Sequence, residues 1–238
     1  MPPALRVSGL AKRYGDVTAL RGASFELRAG ELLGLIGPNG AGKTTLLECV
    51  AGVRHADAGA VALGSAALAR GARHEALFFL GDGARPWPDQ PVAWMLEFLA
   101  GLFAAEAGSL AWVVGALHLE SLLAKRVGAL SKGECKRVLV AAALLMPQPF
   151  LLLDEPFDGL DLRQARELAT VLRVRAGRGR GLCLSIHQLG DAARWCDRLV
   201  LLADGRTVAE GTMDELRARA GLAPGGSAGI EEVFLALT

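Results

Sequence analysis

Tyrosine occurs once in the 238 residues, lysine five times and cysteine four times, and no apolar run is long enough to cross a membrane. Each scarcity excludes something. The cysteines (Cys49, Cys135, Cys183 and Cys196) are dispersed, with no CxxC pair and no Cys/His cluster, so they read as reduced thiols. The most apolar stretch, Val92–Ala105, spans 14 residues and contains Glu97. That is short of the roughly 20 apolar residues a span needs. The opening MPPALRVSG has no apolar h-region and is not expected to be a signal peptide. An excess of one charge is also missing. The 26 Lys and Arg against 25 Asp and Glu leave a net +1, which offers no field for nucleic acid, and no such partner is expected.

What is abundant is apolar. Hydrophobic residues make up 52% of the chain, and mean hydropathy is +0.33. Alanine and leucine account for most of this, and a surface that docks onto a membrane protein is a second source. A chain of this size can bury roughly 70–75% of the surface its unfolded form exposes, so it needs neither disulfides nor a structural metal.

Short apolar runs alternate with helical patterns, which predicts an α/β fold in one domain. Strands are expected at Leu5–Ser8, Ser24–Leu27, Glu31–Ile36, Ala60–Leu63 and Leu77–Leu80, then at Phe150–Asp154, Leu182–Ile186 and Leu199–Leu202. Between 91 and 146 the strand signal disappears. Apolar residues there recur at helical spacing, broken at Gly108, Gly115 and Gly128, and a helical subdomain is expected inside a core formed by 1–90 and 147–220. Asp204-Gly205 marks a hairpin. Ala223–Gly229 has a linker's composition, and Ile230–Thr238 has the pattern of a short amphipathic tail within 221–238.

Gly37-Pro38-Asn39-Gly40-Ala41-Gly42-Lys43-Thr44 fits G-x-x-x-x-G-K-[ST], the Walker A pattern, between an apolar strand and an apolar helix. Glycines let backbone N–H groups turn inward onto phosphate oxygens, and the helix N-terminus adds partial positive charge. Lys43 is expected on the β- and γ-phosphates, and the Thr44 hydroxyl on Mg²⁺, with Thr45 beside it. Phe150–Glu155 is a buried-strand run ending in two carboxylates. Asp154 is expected to hold the Mg²⁺ shell and Glu155 to take a proton from the attacking water.

Leu130-Ser131-Lys132-Gly133-Glu134 lies 23 positions before Asp154, counted from Ser131. It resembles the LSGGQ signature of ATP-binding-cassette (ABC) ATPases, although Ser131 and Glu134 also make a capping box. Other motifs fall in the family's order. Lys12–Gly15 is similar to the loop whose aromatic residue, here Tyr14, stacks on adenine. Gly159-Leu160-Asp161 resembles the D-loop, and His187 after Ser185-Ile186 resembles the switch histidine.

The resemblance covers the whole chain. It implies a P-loop core with an N-terminal antiparallel β element and an inserted helical subdomain, with ATP and Mg²⁺ as cofactors. It further implies a second ABC ATPase subunit, in a homo- or heterodimer, and a transmembrane permease subunit. The chain is thus expected at the cytoplasmic face of the cell membrane. Ser131 and Gly133 would contact the ATP of the opposite subunit, and Asp161 would couple the two sites. The ending Gly229–Thr238 is similar to cassettes of bacterial exporters. Two departures stand out. Lys132 and Glu134 replace a glycine and the glutamine of the signature. Asp82 falls where the family has a glutamine touching Mg²⁺, and it is expected as a metal ligand with Thr44 and Asp154.

Overall fold

The computed structural model describes residues 3–187, 189–223 and 229–238. Most of the expected linker, 224–228, lies outside them. Among the described residues, two sheets form the frame, with helices packed around them. Strands β1 (Leu5–Tyr14), β2 (Val17–Leu27), β4 (Ala58–Leu63) and β5 (Ala66–Ala67) form an antiparallel sheet in the order β2-β1-β4-β5. The second sheet contains β3 (Leu32–Ile36), β6 (Leu77–Leu80), β7 (Phe150–Leu153), β8 (Gly181–Ile186), β9 (Arg198–Ala203) and β10 (Arg206–Gly211). Its order is β10-β9-β3-β8-β7-β6, parallel except for β10.

The strands β3, β7 and β8 are buried at every residue, which is why each reads as a nearly continuous apolar run, broken in β8 only by Ser185. Their side chains feed two cores. Leu33, Leu35, Phe150, Leu152 and Cys183 pack towards α1 (Lys43–Ala51) and the antiparallel sheet. Ile36, Leu151, Leu153, Leu182 and Leu184 face the helical block and α6 (Leu162–Gly177). Alternation along a strand sends successive residues to opposite faces, so one sequence run serves both cores.

Between β6 and β7 the expected helical region contains α3 (Val92–Leu102), α4 (Ser109–Ala116) and α5 (Lys132–Leu145). The short α2 (Arg73–Ala76) precedes β6, and α7 (Leu189–Trp195), α8 (Met213–Arg219) and α9 (Ile230–Leu237) complete the chain. Among the described residues no helix is long and apolar enough to cross a membrane.

Several boundaries differ from expectation. The first two strands run to 10 and 11 residues, because the charged and polar residues that hid them pair across the hairpin, as in Arg6↔Glu26 and Arg13↔Thr18. Gly108 does precede a helix, but Gly115 lies inside α4, where packing overrides its low propensity. Asp204-Gly205 turns β9 into β10 with both residues at positive φ, as the hairpin required. All four cysteines are free, as expected, with Cys49, Cys135 and Cys183 buried.

Candidate active site

The phosphate loop leaves β3 at Ile36 and enters α1 at Lys43. Gly42 is the N-cap with φ of +100°, and a Cβ on it would stand 2.7 Å from the Ala19 carbonyl oxygen. Only glycine meets both conditions. The Ala41 N–H donates to the Pro38 carbonyl at 3.1 Å and the Gly205 N–H to the Ala41 carbonyl at 3.1 Å. The β9–β10 turn therefore braces the loop from behind. Pro38, Asn39 and Gly40 form its exposed lip, with Thr45 half-buried one turn inside.

Lys43 is 7% exposed and donates to the Gly37 and Pro38 carbonyls at 2.7 and 3.1 Å. Burial pulls its ammonium below the usual lysine value, and Glu155 and Asp154 oppose that pull. Among the described residues no carboxylate holds it, so the ammonium remains available to a phosphate.

Asp154 stands just past β7, 2% exposed, with both carboxylate oxygens engaged. The Thr44 hydroxyl donates to one at 2.8 Å and the Ser185 hydroxyl to the other at 2.6 Å. Ser185 also accepts the Glu155 N–H at 2.8 Å. One hydroxyl on β8 thus fixes both carboxylate-bearing residues. Glu155 is held at φ of +47°, a region costly for a residue with a side chain. This turn brings its carboxylate 3.8 Å from His187 Nδ1. Ser185 has a signal in the sequence, as the lone hydroxyl in Leu182–Ile186, but the motif it belongs to points to His187. The Thr44–Asp154 pair sets two hard oxygen ligands side by side, which fits Mg²⁺.

The signature residues open α5. The Ser131 hydroxyl accepts from Glu134 N–H at 3.2 Å, and Glu134 accepts from Ser131 N–H at 2.8 Å and from Lys125 Nζ at 2.8 Å. The capping box is therefore present, and Glu134 serves it. A Cβ on Gly133 would lie 2.6 Å from the Gly159 carbonyl oxygen, so this glycine is needed for the close approach of two loops. Lys132 pairs with Asp158 at 2.5 Å across the same junction. Asp161 caps α6, its carboxylate accepting Gln164 N–H at 2.8 Å.

Asp82 does not bond to the Thr44–Asp154 pair. Its carboxylate accepts Lys136 Nζ at 2.8 Å, and its nearest acidic neighbours are Glu155 and Asp158, with oxygens all within 4.8 Å of one another. Lys136 lies one helical turn past Lys132 on α5, and its side chain is 7% exposed. A buried ammonium attracts the nearest carboxylate, and that attraction explains where Asp82 points. Lys136 holds the Asp82 carboxyl below the ordinary value, so this pairing stabilises the fold above that ordinary value and is lost as pH falls through the lowered one. Asp82→Ala would leave the ammonium buried without its partner. We expect a loss of about 1–3 kcal/mol of stability, read as a lower thermal midpoint at neutral pH. Asp82→Asn keeps an acceptor and is expected to lose less.

Tyr14 ends β1, its ring half-exposed, with Lys12 Nζ at 5.6 Å and the Arg54 guanidinium at 5.2 Å from the ring centre. Asp57 pins the segment before it, accepting Lys12 Nζ at 2.8 Å and Arg13 N–H at 2.7 Å.

A family model described as ABC transporter matches residues 20–158. The Nod factor export ATP-binding protein I of Burkholderia orbicola is 36% identical over 206 residues, covering 84% of this chain and 68% of that protein. An uncharacterized ABC transporter ATP-binding protein of Methanocaldococcus jannaschii is 31% identical over 220 residues, 91% of this chain and 80% of its own length. A solved ATP-binding subunit of an ABC transporter superposes with a TM-score of 0.87 at 29% identity, covering 98% of each chain.

Proposed function

This chain belongs to the ABC transporter family and is its ATP-binding, ATP-hydrolysing subunit; on that premise we propose that it dimerises on ATP and drives a separate transmembrane permease in export. Each chain supplies Lys43, Thr44, Asp154, Glu155 and His187 to one nucleotide and offers Ser131 and Gly133 to the nucleotide of the opposite subunit. ATP bridging two halves favours the closed dimer, and hydrolysis removes that bridge. Glu155 accepts the proton of the attacking water, with His187 beside it. Mg²⁺, held by Thr44 and Asp154, would neutralise charge building on the phosphates. Asp82, with a carboxylate oxygen within 4.8 Å of those of Glu155 and Asp158, is assigned to the neighbourhood of that metal, with Lys136 as its standing partner. Tyr14 is assigned to adenine, and Asp161 to the coupling of the two sites.

The observation that carries the membrane partner is a face of α3. Trp94, Phe98 and Leu102 recur every fourth residue and are 40%, 41% and 61% exposed. The Trp94 and Phe98 rings stack with centres 5.1 Å apart, and Trp87, itself 41% exposed, meets both edge-on at 5.9 and 5.5 Å. The same helix buries Val92, Met95 and Leu96 on its other side. A helix needs only one apolar face for its own fold, and a second, aromatic one marks a protein interface. The relatives named for Nod factor export support the export direction, and docking on a permease supports a place at the cytoplasmic face of the membrane.

The test is co-purification with a co-expressed permease subunit. Trp94→Ala/Phe98→Ala should leave the isolated chain's ATPase activity intact and weaken the complex by at least roughly 30-fold, as loss of a buried aromatic anchor would. Full retention of the complex would overturn the assigned face. ATPase activity with no permease bound by the parent chain would instead favour a soluble ABC ATPase.

A further inference from the structure

The helical block meets the core a second time, at the end of the sheet opposite Asp154 and His187. There the segments leading into β7 and β8 and the last turn of α6 close a cavity of about 290 Å³ against the α3–α4 turn. Three guanidinium groups line it, from Arg175, Arg178 and Arg180, with Glu106 as its single carboxylate. Arg175 is 5% exposed and donates to the Leu144 carbonyl at 2.6 Å, while its buried Nε has no partner. Arg180 reaches the same carbonyl at 3.3 Å. Arg175 and Arg178 lie 5.5 and 5.3 Å from the Trp112 ring centre. None of the three makes an ion pair among the described residues.

Arginines near helix C-termini are ordinary, because terminal carbonyls favour cations. One shared carbonyl and one tryptophan do not answer three charges, however. Burial first, and then the Arg175 charge, pull the Arg180 guanidinium down to about 10, with Glu106 opposing them. The opposite wall is also built for negative charge. Ser109 opens α4 there at 7% exposure, after an N-cap glycine that offers no side chain. No acidic residue lies in that first turn, and the Ser109 hydroxyl makes no hydrogen bond among the described residues. A helix N-terminus without a side-chain cap, the Ser109 hydroxyl and three guanidiniums therefore line one space.

We propose that this cavity binds a phosphate oxyanion, held by Arg175, Arg178 and Arg180 on the core side and by Ser109 and the α4 N-terminus on the other. The anion bridges the helical block to the core at a point remote from the nucleotide. A soluble phosphomonoester or a lipid headgroup would supply the same chemistry.

The experiment is a calorimetric titration of the chain with inorganic phosphate, against chloride at matched ionic strength, with Mg²⁺ and ADP saturating the phosphate loop. The parent chain should bind, Arg178→Gln/Arg180→Gln should weaken binding at least roughly tenfold, and Ser109→Ala several-fold. Co-sedimentation with phosphatidylglycerol but not phosphatidylcholine vesicles, lost in the arginine variant, would identify a headgroup. Phosphate binding without vesicle binding would identify a soluble ligand. No binding, an equal response to chloride, or equal binding by parent and variants would overturn the site. If the double variant does not fold, Arg178→Gln and Ser109→Ala decide. The comparison is independent of the ATPase reading, because failure of ADP to bind would damage that reading and leave the contrast between variants intact.

Discussion

Glu155→Gln is expected to bind ATP as the parent chain does and to hydrolyse it roughly 10²–10⁴-fold more slowly, the range over which a positioned general base acts. The reason lies in the geometry. The main chain of Glu155 is fixed by Ser185 at 2.8 Å and by a left-handed φ of +47°, neither of which depends on the side-chain charge. The amide should therefore occupy the carboxylate's place, accept no proton, and leave Lys43, Thr44 and Asp154 undisturbed. Bound ATP should then persist and hold two chains together. Single-turnover kinetics with size-exclusion chromatography checks both halves of this expectation. Near-normal turnover would remove Glu155 from the role of base, while slow turnover without a dimer would separate catalysis from association.

Lys43→Ala is expected to fail earlier, at binding. The ammonium is nine-tenths buried in a loop of backbone donors and is the charged group of that loop nearest the expected phosphates. Removing it forfeits a charge-assisted bond of about 1.5–3 kcal/mol, or roughly 10–100-fold in ATP affinity by calorimetry. Unchanged affinity in a folded variant would reject the assignment. The same variant tests whether the signature works across an interface. Mixed with Ser131→Arg chains, it should regain activity, because both lesions then fall in one composite site and leave the other whole. If no mixing ratio restores hydrolysis, Ser131 does not act on the opposite subunit's nucleotide within a homodimer.

Much of this site was legible without coordinates, and the legible part has a common character. Walker A is a local device in which loop, glycines and lysine lie within eight consecutive positions. Its conformation follows from that local chemistry, and Gly42 takes the backbone angle its place demands. The signature was legible for the same reason, and the capping box of Ser131 and Glu134 formed as spacing required. The apolar runs of β3, β7 and β8 announced buried parallel strands. The hairpin of β1 and β2 extends beyond its apolar runs, because the charged and polar residues that break those runs still pair strand to strand.

The residues the sequence kept hidden are those whose partners come from distant segments. Ser185 is 31 positions from Asp154 and became the brace for both carboxylate-bearing residues only when β8 settled beside β7. Asp82 stood out as a departure, but its partner Lys136 is 54 positions away on another element. The family position placed Asp82 near the metal, but nothing local signalled the buried ammonium that pairs with it. The arginine cavity needs the α3–α4 turn, α4 and the end of α6 to meet, and no local pattern records that meeting. Chemistry held within one turn or one loop is thus determined by the sequence itself, since chain connectivity already puts those groups in contact. Which distant charge meets which is decided by the order of strands in the sheet and by the burial that makes an unpaired charge costly.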